Sequence, residues 1–177
     1  MEKLKLFIPV IEDEKEILNF RDEFFDYGEK VISGDGGLDS AATYSEWLNK
    51  IENSMNEKTC PEGLVPATTY IVRRDIDNLI VGIIQVRHYL NDYLFNCGGH
   101  IGYSVRPSER RKGYAKDMLR MALEKCIDLG INKVLITCLT TNDGSRRTIL
   151  SNGGKFENEV TVGEEVYQRY WIDIEGK

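Results

Sequence analysis

The hydrophobic period of this chain changes twice between residues 100 and 139, and that double change limits what it can fold into. Residues 100–105 (HIGYSV) have the composition of a strand. After Pro107 the period lengthens. Ala115, Met118, Leu119, Ala122, Cys126 and Leu129 fall on one face of a helix, with Lys116, Asp117, Arg120, Glu124 and Asp128 on the other. Gly130 stands where a glycine closes such a helix. Residues 131–139 return to strand, and their apolar centre, Val134-Leu135-Ile136, suits a strand covered on both faces. Strand, helix and strand in that order make one β-α-β crossover.

The flanking sequence completes a mixed sheet. Residues 4–11 read as a short strand, and residues 12–30 as a helix with Ile17, Phe20, Phe24 and Tyr27 at helical spacing. A glycine-rich stretch, Gly34-Asp35-Gly36-Gly37, follows. Thr43 and Glu46 then form a capping box ahead of a helix striped by Trp47, Leu48, Ile51 and Met55. Residues 68–74 and 79–89 are β-rich and joined by a hairpin turn. Residues 142–151 read as a short helix. Residues 155–162 and 165–174 are two last strands meeting at Gly163. The expected fold class is α+β, a mixed central sheet flanked by helices. No repeat and no Pro/Gly/Ser-rich linker divides the chain, so residues 1–177 are expected to form one domain.

Charge excludes some functions. The 177 residues carry a formal net charge of −6, poorly suited to gripping a polyanion over a wide face, so neither nucleic acid nor an anionic membrane is the expected partner. The charge is uneven: residues 1–97 hold 10 basic and 18 acidic side chains, residues 98–177 hold 13 and 11. With no C-x-x-C spacing and two histidines, a metal site has little to build on, and none is expected. The apolar start is short and runs into Glu12-Asp13-Glu14, unlike a signal peptide or anchor, which makes the cytoplasm the expected location.

The chemistry concentrates where the first crossover strand meets the helix. Arg106-Pro107-Ser108-Glu109-Arg110-Arg111-Lys112 holds four cations and one acid, and Gly113 follows. A glycine permits close backbone approach, and a helix start offers free N–H groups at the positive end of its dipole. Together these suit a phosphate or pyrophosphate, although a solvated basic loop would read the same way. Neither a Walker loop nor a G-x-G-x-x-G fingerprint occurs.

Arg110-Arg111-Lys112-Gly113-Tyr114-Ala115 resembles the [Q/R]-x-x-G-x-[G/A] pyrophosphate arm of the GNAT N-acetyltransferases. The strand before it, the long helix after it, the next strand and Asn142 leading a short helix are similar to that family's central half. The resemblance implies acetyl-CoA as cosubstrate, wedged between two splayed parallel strands. It implies that the backbone of Tyr103, Ser104 and Val105 pairs with the pantetheine, with the Val105 N–H polarising the thioester carbonyl. It also implies that amides of Arg110, Arg111, Lys112, Gly113, Tyr114 and Ala115 hold the pyrophosphate. Asn142 matches the asparagine that contacts the pantetheine, and Ser145 a small residue on the following helix. The same resemblance admits a homodimer.

Two positions depart from the family pattern. Where many members carry a glutamate base this chain has Gly99, and where many carry a tyrosine acid it has Ile149. The catalytic candidates are therefore His100, of the right pKa class for a base, and Tyr103 on the same strand; each also reads as an ordinary strand residue. Cys97 is set aside as a nucleophile because direct transfer needs none. Asp35 and Asp39, with Glu23 or Asp26, could draw in a cationic amine or simply be solvated. The expected function is direct transfer of acetyl from acetyl-CoA to a primary amine of a small molecule or peptide. The rival is a catalytically silent acyl-CoA-binding module.

Overall fold

The computed structural model describes residues 2–175. Its elements run β1 (Leu4–Phe7), α1 (Glu14–Asp26), α2 (Tyr44–Ser54), β2 (Ala67–Arg74), β3 (Ile80–Arg87), β4 (Ile101–Val105), α3 (Tyr114–Asp128), β5 (Lys133–Leu139), α4 (Asp143–Ser151), β6 (Lys155–Val162) and β7 (Glu165–Asp173). The α+β class and the order of strands and helices are those expected. The strands form two sheets, β1-β2-β3-β4 and β5-β7-β6, with every ladder antiparallel. The sheets meet at β4 and β5.

Strand alternation builds two cores. On one side Ile71, Ile80 and Ile83 pack with Ile17, Phe20 and Phe24 of α1 and Trp47, Leu48 and Ile51 of α2. On the other, Val72, Ile84, Val134 and Ile136 pack with Met118, Leu119, Ala122 and Cys126 of α3. The β1–β4 sheet is thus covered on both faces, while β5 gives Val134 and Ile136 to the second core and buries Leu135 on its opposite face.

The first strand stops at Phe7 rather than at residue 11, and the third runs only from Ile80 to Arg87; two further segments differ in kind. The first helix ends at Asp26, not at residue 30, because the chain turns left-handed at Gly28 (φ 80°); Tyr27 is consequently exposed rather than in the core. The sequence of residues 90–97 predicts no regular element, yet Leu94–Gly98 wind into a π-helical turn. That turn lays Phe95 over the Arg169 guanidinium, 4.4 Å from the ring centroid.

Candidate functional site

β4 and β5 are pinned at one end and open at the other. The His100 amide donates to Leu135 O (2.8 Å), and the Leu135 amide donates to His100 Nδ1 (2.9 Å). The Thr137 hydroxyl adds a bond to Cys97 O (2.6 Å). A Cβ on Gly99, at φ 65°, would lie 2.7 Å from Leu135 O, so this position accepts no side chain. Beyond the pin, no hydrogen bond between described residues joins β4 to β5.

Alternation decides which main-chain groups face the opening. Arg106 N–H bonds Val81 O and Arg87 N–H bonds His100 O, which places Gly102 and Ser104 in the pairs bonded to β3. Tyr103 and Val105 therefore turn their amides and carbonyls toward β5. Ser104 faces away from the opening, its hydroxyl donating to Ser33 O at 2.9 Å.

The opening leads to a curl of backbone. Arg111 and Gly113 both have positive φ, 67° and 91°. Left-handed residues at alternate positions turn successive amides toward one point, the geometry of an anion nest. The amides of Arg111, Lys112, Gly113, Tyr114 and Ala115 have no acceptor among the described residues, and the start of α3 lacks a side-chain cap. Five free donors at a helix start form an anion site of main-chain atoms.

The basic side chains around it are largely engaged elsewhere. Arg106 is buried and pairs with Glu23 (2.7 Å), Arg110 pairs with Glu29, and Lys112 with Glu109 (2.8 Å). Arg111 alone of the four has no ion-pair partner among the described residues. The +3 charge read from the sequence is thus mostly balanced by acids of α1, its continuation and the turn itself. Glu23 also accepts from the Ser108 amide (2.8 Å). Burial opposes its ionisation, but the bonds from Ser108 and Arg106 outweigh burial and hold its carboxyl below the ordinary value. It is not free to draw in an amine.

The Tyr103 phenol crosses the opening from the β4 side and lies 2.9 Å from the Ser145 hydroxyl on α4. Burial pushes the phenol up to about 12, so it is protonated at neutral pH. The Asn142 side chain caps α4, accepting from Ser145 N–H at 3.0 Å. Tyr114 turns inward, its phenol accepting from Arg74 at 2.9 Å. His100 is buried, and burial together with the Arg87 charge pushes it down to about 4. With Nδ1 taken by an amide, the neutral ring carries its proton on Nε2. Among the described residues no three metal-type side chains cluster, and no helix is long and apolar enough to cross a membrane.

A family model described as an acetyltransferase (GNAT) domain matches residues 9–155. The chain belongs to the GNAT acetyltransferase family. Solved structures of similar fold include the ribosomal-protein-S5-alanine acetyltransferase of Vibrio fischeri, with 12% identity, 99% of this chain and 96% of that one covered, and a TM-score of 0.74. RimJ of Mycobacterium smegmatis, in complex with CoA-disulfide, is 16% identical over 97% of this chain and 82% of that one, with a TM-score of 0.73. The microcin C7 self-immunity acetyltransferase MccE, in complex with acetyl-CoA and AMP, is 14% identical over 98% and 94%, with a TM-score of 0.70. No curated protein sequence matches the chain. As a GNAT acetyltransferase it is an acyltransferase whose acyl donor is acetyl-CoA, and the open strands and the nest have the donors and acceptors that fit a pantetheine arm and a pyrophosphate.

On the α1/α2 face of the GNAT sheet the glycine-rich loop presses on β4. A Cβ on Gly34 would lie 2.0 Å from Gly102 O. Asp35 is buried and accepts from the amides of Gly37 (2.8 Å) and Asp39 (2.7 Å), while Asp39 accepts from Ile32 N–H (3.1 Å). These two acids hold the loop together. Beside the loop lies a cavity of about 370 Å³, bordered by Gly36, Gly37, Lys50, Gln85, Arg87 and Tyr93 among others. Arg87 escaped the sequence reading; its signal was a cation closing an otherwise apolar strand, LIVGIIQVR.

Proposed function

We propose that this chain transfers acetyl directly from acetyl-CoA to a primary amine of a small molecule or peptide. The five free amides from Arg111 to Ala115 carry the reading, because they and the opening between β4 and β5 suit the pyrophosphate and the pantetheine of one ligand. Tyr103 and Val105 present main-chain donors and acceptors to the pantetheine, and the Val105 N–H takes the thioester oxygen. The amine nitrogen bonds the carbonyl carbon and the C–S bond breaks. One proton leaves nitrogen and one reaches sulfur.

Tyr103 is the proposed donor of that second proton, held protonated by burial and oriented by Ser145. His100 suits a different role in this reading. Neutral, buried and bonded to Leu135, it keeps the closed end of the two strands shut. A peptide α-amino group, with a pKa of about 7.7–8.0, is partly neutral at physiological pH and needs no strong base, whereas a more basic amine gives its proton to solvent before it attacks. The nearby solved folds named as ribosomal-protein and microcin-immunity acetyltransferases support an amine acceptor. One cytoplasmic domain spanning residues 1–177, working alone or as a homodimer, is part of the same reading.

Release of free CoA thiol from acetyl-CoA across a panel of amines tests the proposal, alongside calorimetric binding of CoA. Amine-dependent release supports it. Tight CoA binding with no release from any amine would instead favour a silent acyl-CoA-binding module.

A further inference from the structure

The cavity beside the glycine-rich loop is bordered by a guanidinium two of whose three nitrogens donate to no described residue. Arg87 Nη1 donates to Gly98 O (2.8 Å) and Gly99 O (3.1 Å). Nε and Nη2 donate to no described residue, and no carboxylate among the described residues lies within ion-pair distance of them. Those two nitrogens form one edge of the guanidinium fork, the edge that takes both oxygens of a carboxylate. The edge is close to the reaction centre: a Cβ on Gly102 would lie 3.2 Å from Nη2, and Gly102 directly precedes Tyr103.

A second cation stands across the cavity. The Lys50 ammonium lies over Gly37, 2.5 Å from where a Cβ on that glycine would sit, and it makes no ion pair or hydrogen bond among the described residues. The one acid bordering the cavity, Asp35, has both oxygens on loop amides. Two cations with free donors therefore face a carboxylate whose oxygens are occupied. The acidic sequence of residues 1–97 had pointed to attraction of a cation, but the cavity it builds is prepared for an anion. Glycines at positions 34, 36 and 37 keep the loop side free of side chains, and about 370 Å³ is room for an amino-acid-sized molecule.

We propose that this cavity receives a small amine that also bears a carboxylate, bound side-on by Arg87 and drawn in by Lys50, with its amine directed at the thioester. This rests on the acetyl-transfer reading and names the acceptor class for that same site. The carboxylate supplies binding that does not change during transfer, so its loss should appear in KM rather than kcat.

The test compares L-amino acids with their α-carboxamides, which keep the amine and lose the carboxylate charge, in a thiol-release assay after CoA binding has been measured, with KM expressed per neutral amine because the amide's amine is the less basic. The acids are expected to have KM values at least about tenfold lower than the amides, the size of one lost charge-assisted pair. Arg87→Lys keeps the charge without the fork. It should raise KM for the acids about tenfold more than it raises KM for the amides on the same variant, a ratio that any loosening of the Gly98–Gly99 turn leaves unmoved. Lys50→Met, on the exposed surface of α2, should raise KM for the acids several-fold and do so less at high salt. Calorimetric titration of the same acids into the CoA-bound protein checks the cavity without turnover. Equal use of acids and amides, no binding of either, or preference for peptides irrespective of their carboxylates would overturn the proposal while leaving acetyl transfer standing. Failure to bind CoA at all would remove the underlying reading as well.

Discussion

Glu23 and Arg106 form an ion pair of 2.7 Å in which the guanidinium is 6% exposed and the carboxylate 21%. The pair ties α1 to the turn that begins the nest, because Glu23 also holds the Ser108 amide. Removing one member of such a pair leaves the other charge buried. Glu23→Ala should therefore cost about 3 kcal/mol, seen as a drop in melting temperature of about 6–12 °C. The contribution of the Glu23 carboxylate is complete above its unfolded pKa and disappears as pH falls through its lower folded value. Chemical unfolding at pH 7 and pH 3 checks both statements; Glu23→Ala should lose little between them beyond the wild type's other losses.

Engaged cations make a distinctive prediction for CoA affinity. Arg111 has no ion-pair partner among the described residues, whereas Arg110 is held by Glu29, whose carboxyl is kept below its ordinary value chiefly by the Arg110 bond. Arg111→Ala should weaken CoA about tenfold, the scale of one charge-assisted hydrogen bond. Lys112→Ala, with its ammonium already on Glu109, should weaken it less. Glu29→Gln frees Arg110 and should tighten CoA binding. Calorimetry at two ionic strengths separates these outcomes, and no change on Arg111→Ala together with no tightening on Glu29→Gln would reverse the ranking.

Local interactions leave a mark in the sequence, and long-range ones do not. Periodicity reports burial, so α3, β5 and the two-sided core were legible from Met118, Leu119 and Val134-Leu135-Ile136 alone. Gly113 and the helix start announced the nest because backbone geometry there depends on neighbours in sequence. Ion pairs do not. Glu23 and Glu29 lie more than eighty residues from Arg106 and Arg110, and only the folded chain reveals that they balance the basic cluster. Arg87 was hidden for the same reason: its meaning depends on what it lacks in space. The His100 environment arises from β5, thirty-five residues away.

Gly34 and Gly102 touch through their backbones, and the loop that contains Gly34 adopts φ 79° there. Gly34→Ala forces a Cβ to within 2.0 Å of Gly102 O. Strain at a left-handed position and overpacking together should cost about 2–4 kcal/mol. Because the loop borders the acceptor cavity and not the nest, CoA binding by the folded fraction should survive while KM for the amine rises. Denaturant melts and CoA titration of the same variant check both parts.

Two buried groups should cancel in the pH dependence of stability. Burial pushes His100 down to about 4, so its share of stability is present above pH 6.5 and is lost as pH falls toward 4. Burial raises Asp35 to about 6, so its share is present below its unfolded value of 3.8 and is lost as pH rises through 6. Each share is about 3 kcal/mol, and they run in opposite directions over the same window. These two groups should thus leave the stability of the wild type nearly level between pH 4 and 6.5. Asp35→Asn should expose a rise with pH, and His100→Asn a fall. Parallel pH profiles in the two variants would show that neither group titrates as its burial requires.

Tyr103 carries the sharpest test of the transfer step. Its phenol is bonded to Ser145 at 2.9 Å and pushed up to about 12 by burial, so it stays protonated well above neutral pH. Tyr103→Phe removes only the hydroxyl. Acetyl-CoA affinity should be unchanged, because the groups of Tyr103 assigned to the pantetheine are main-chain atoms. The kcat should fall by about a hundredfold, the lower range for loss of a general acid. That fall should be uniform from pH 6 to 9, since no ionisation of Tyr103 occurs there. Ser145→Ala leaves the phenol in place with one partner fewer and should reduce kcat by less. Loss of the Tyr103–Ser145 bond also costs about 1 kcal/mol of stability, which a melt separates from catalysis. Full activity in Tyr103→Phe would assign the proton on sulfur to another source, with solvent through the open end of β4 and β5 the nearest candidate.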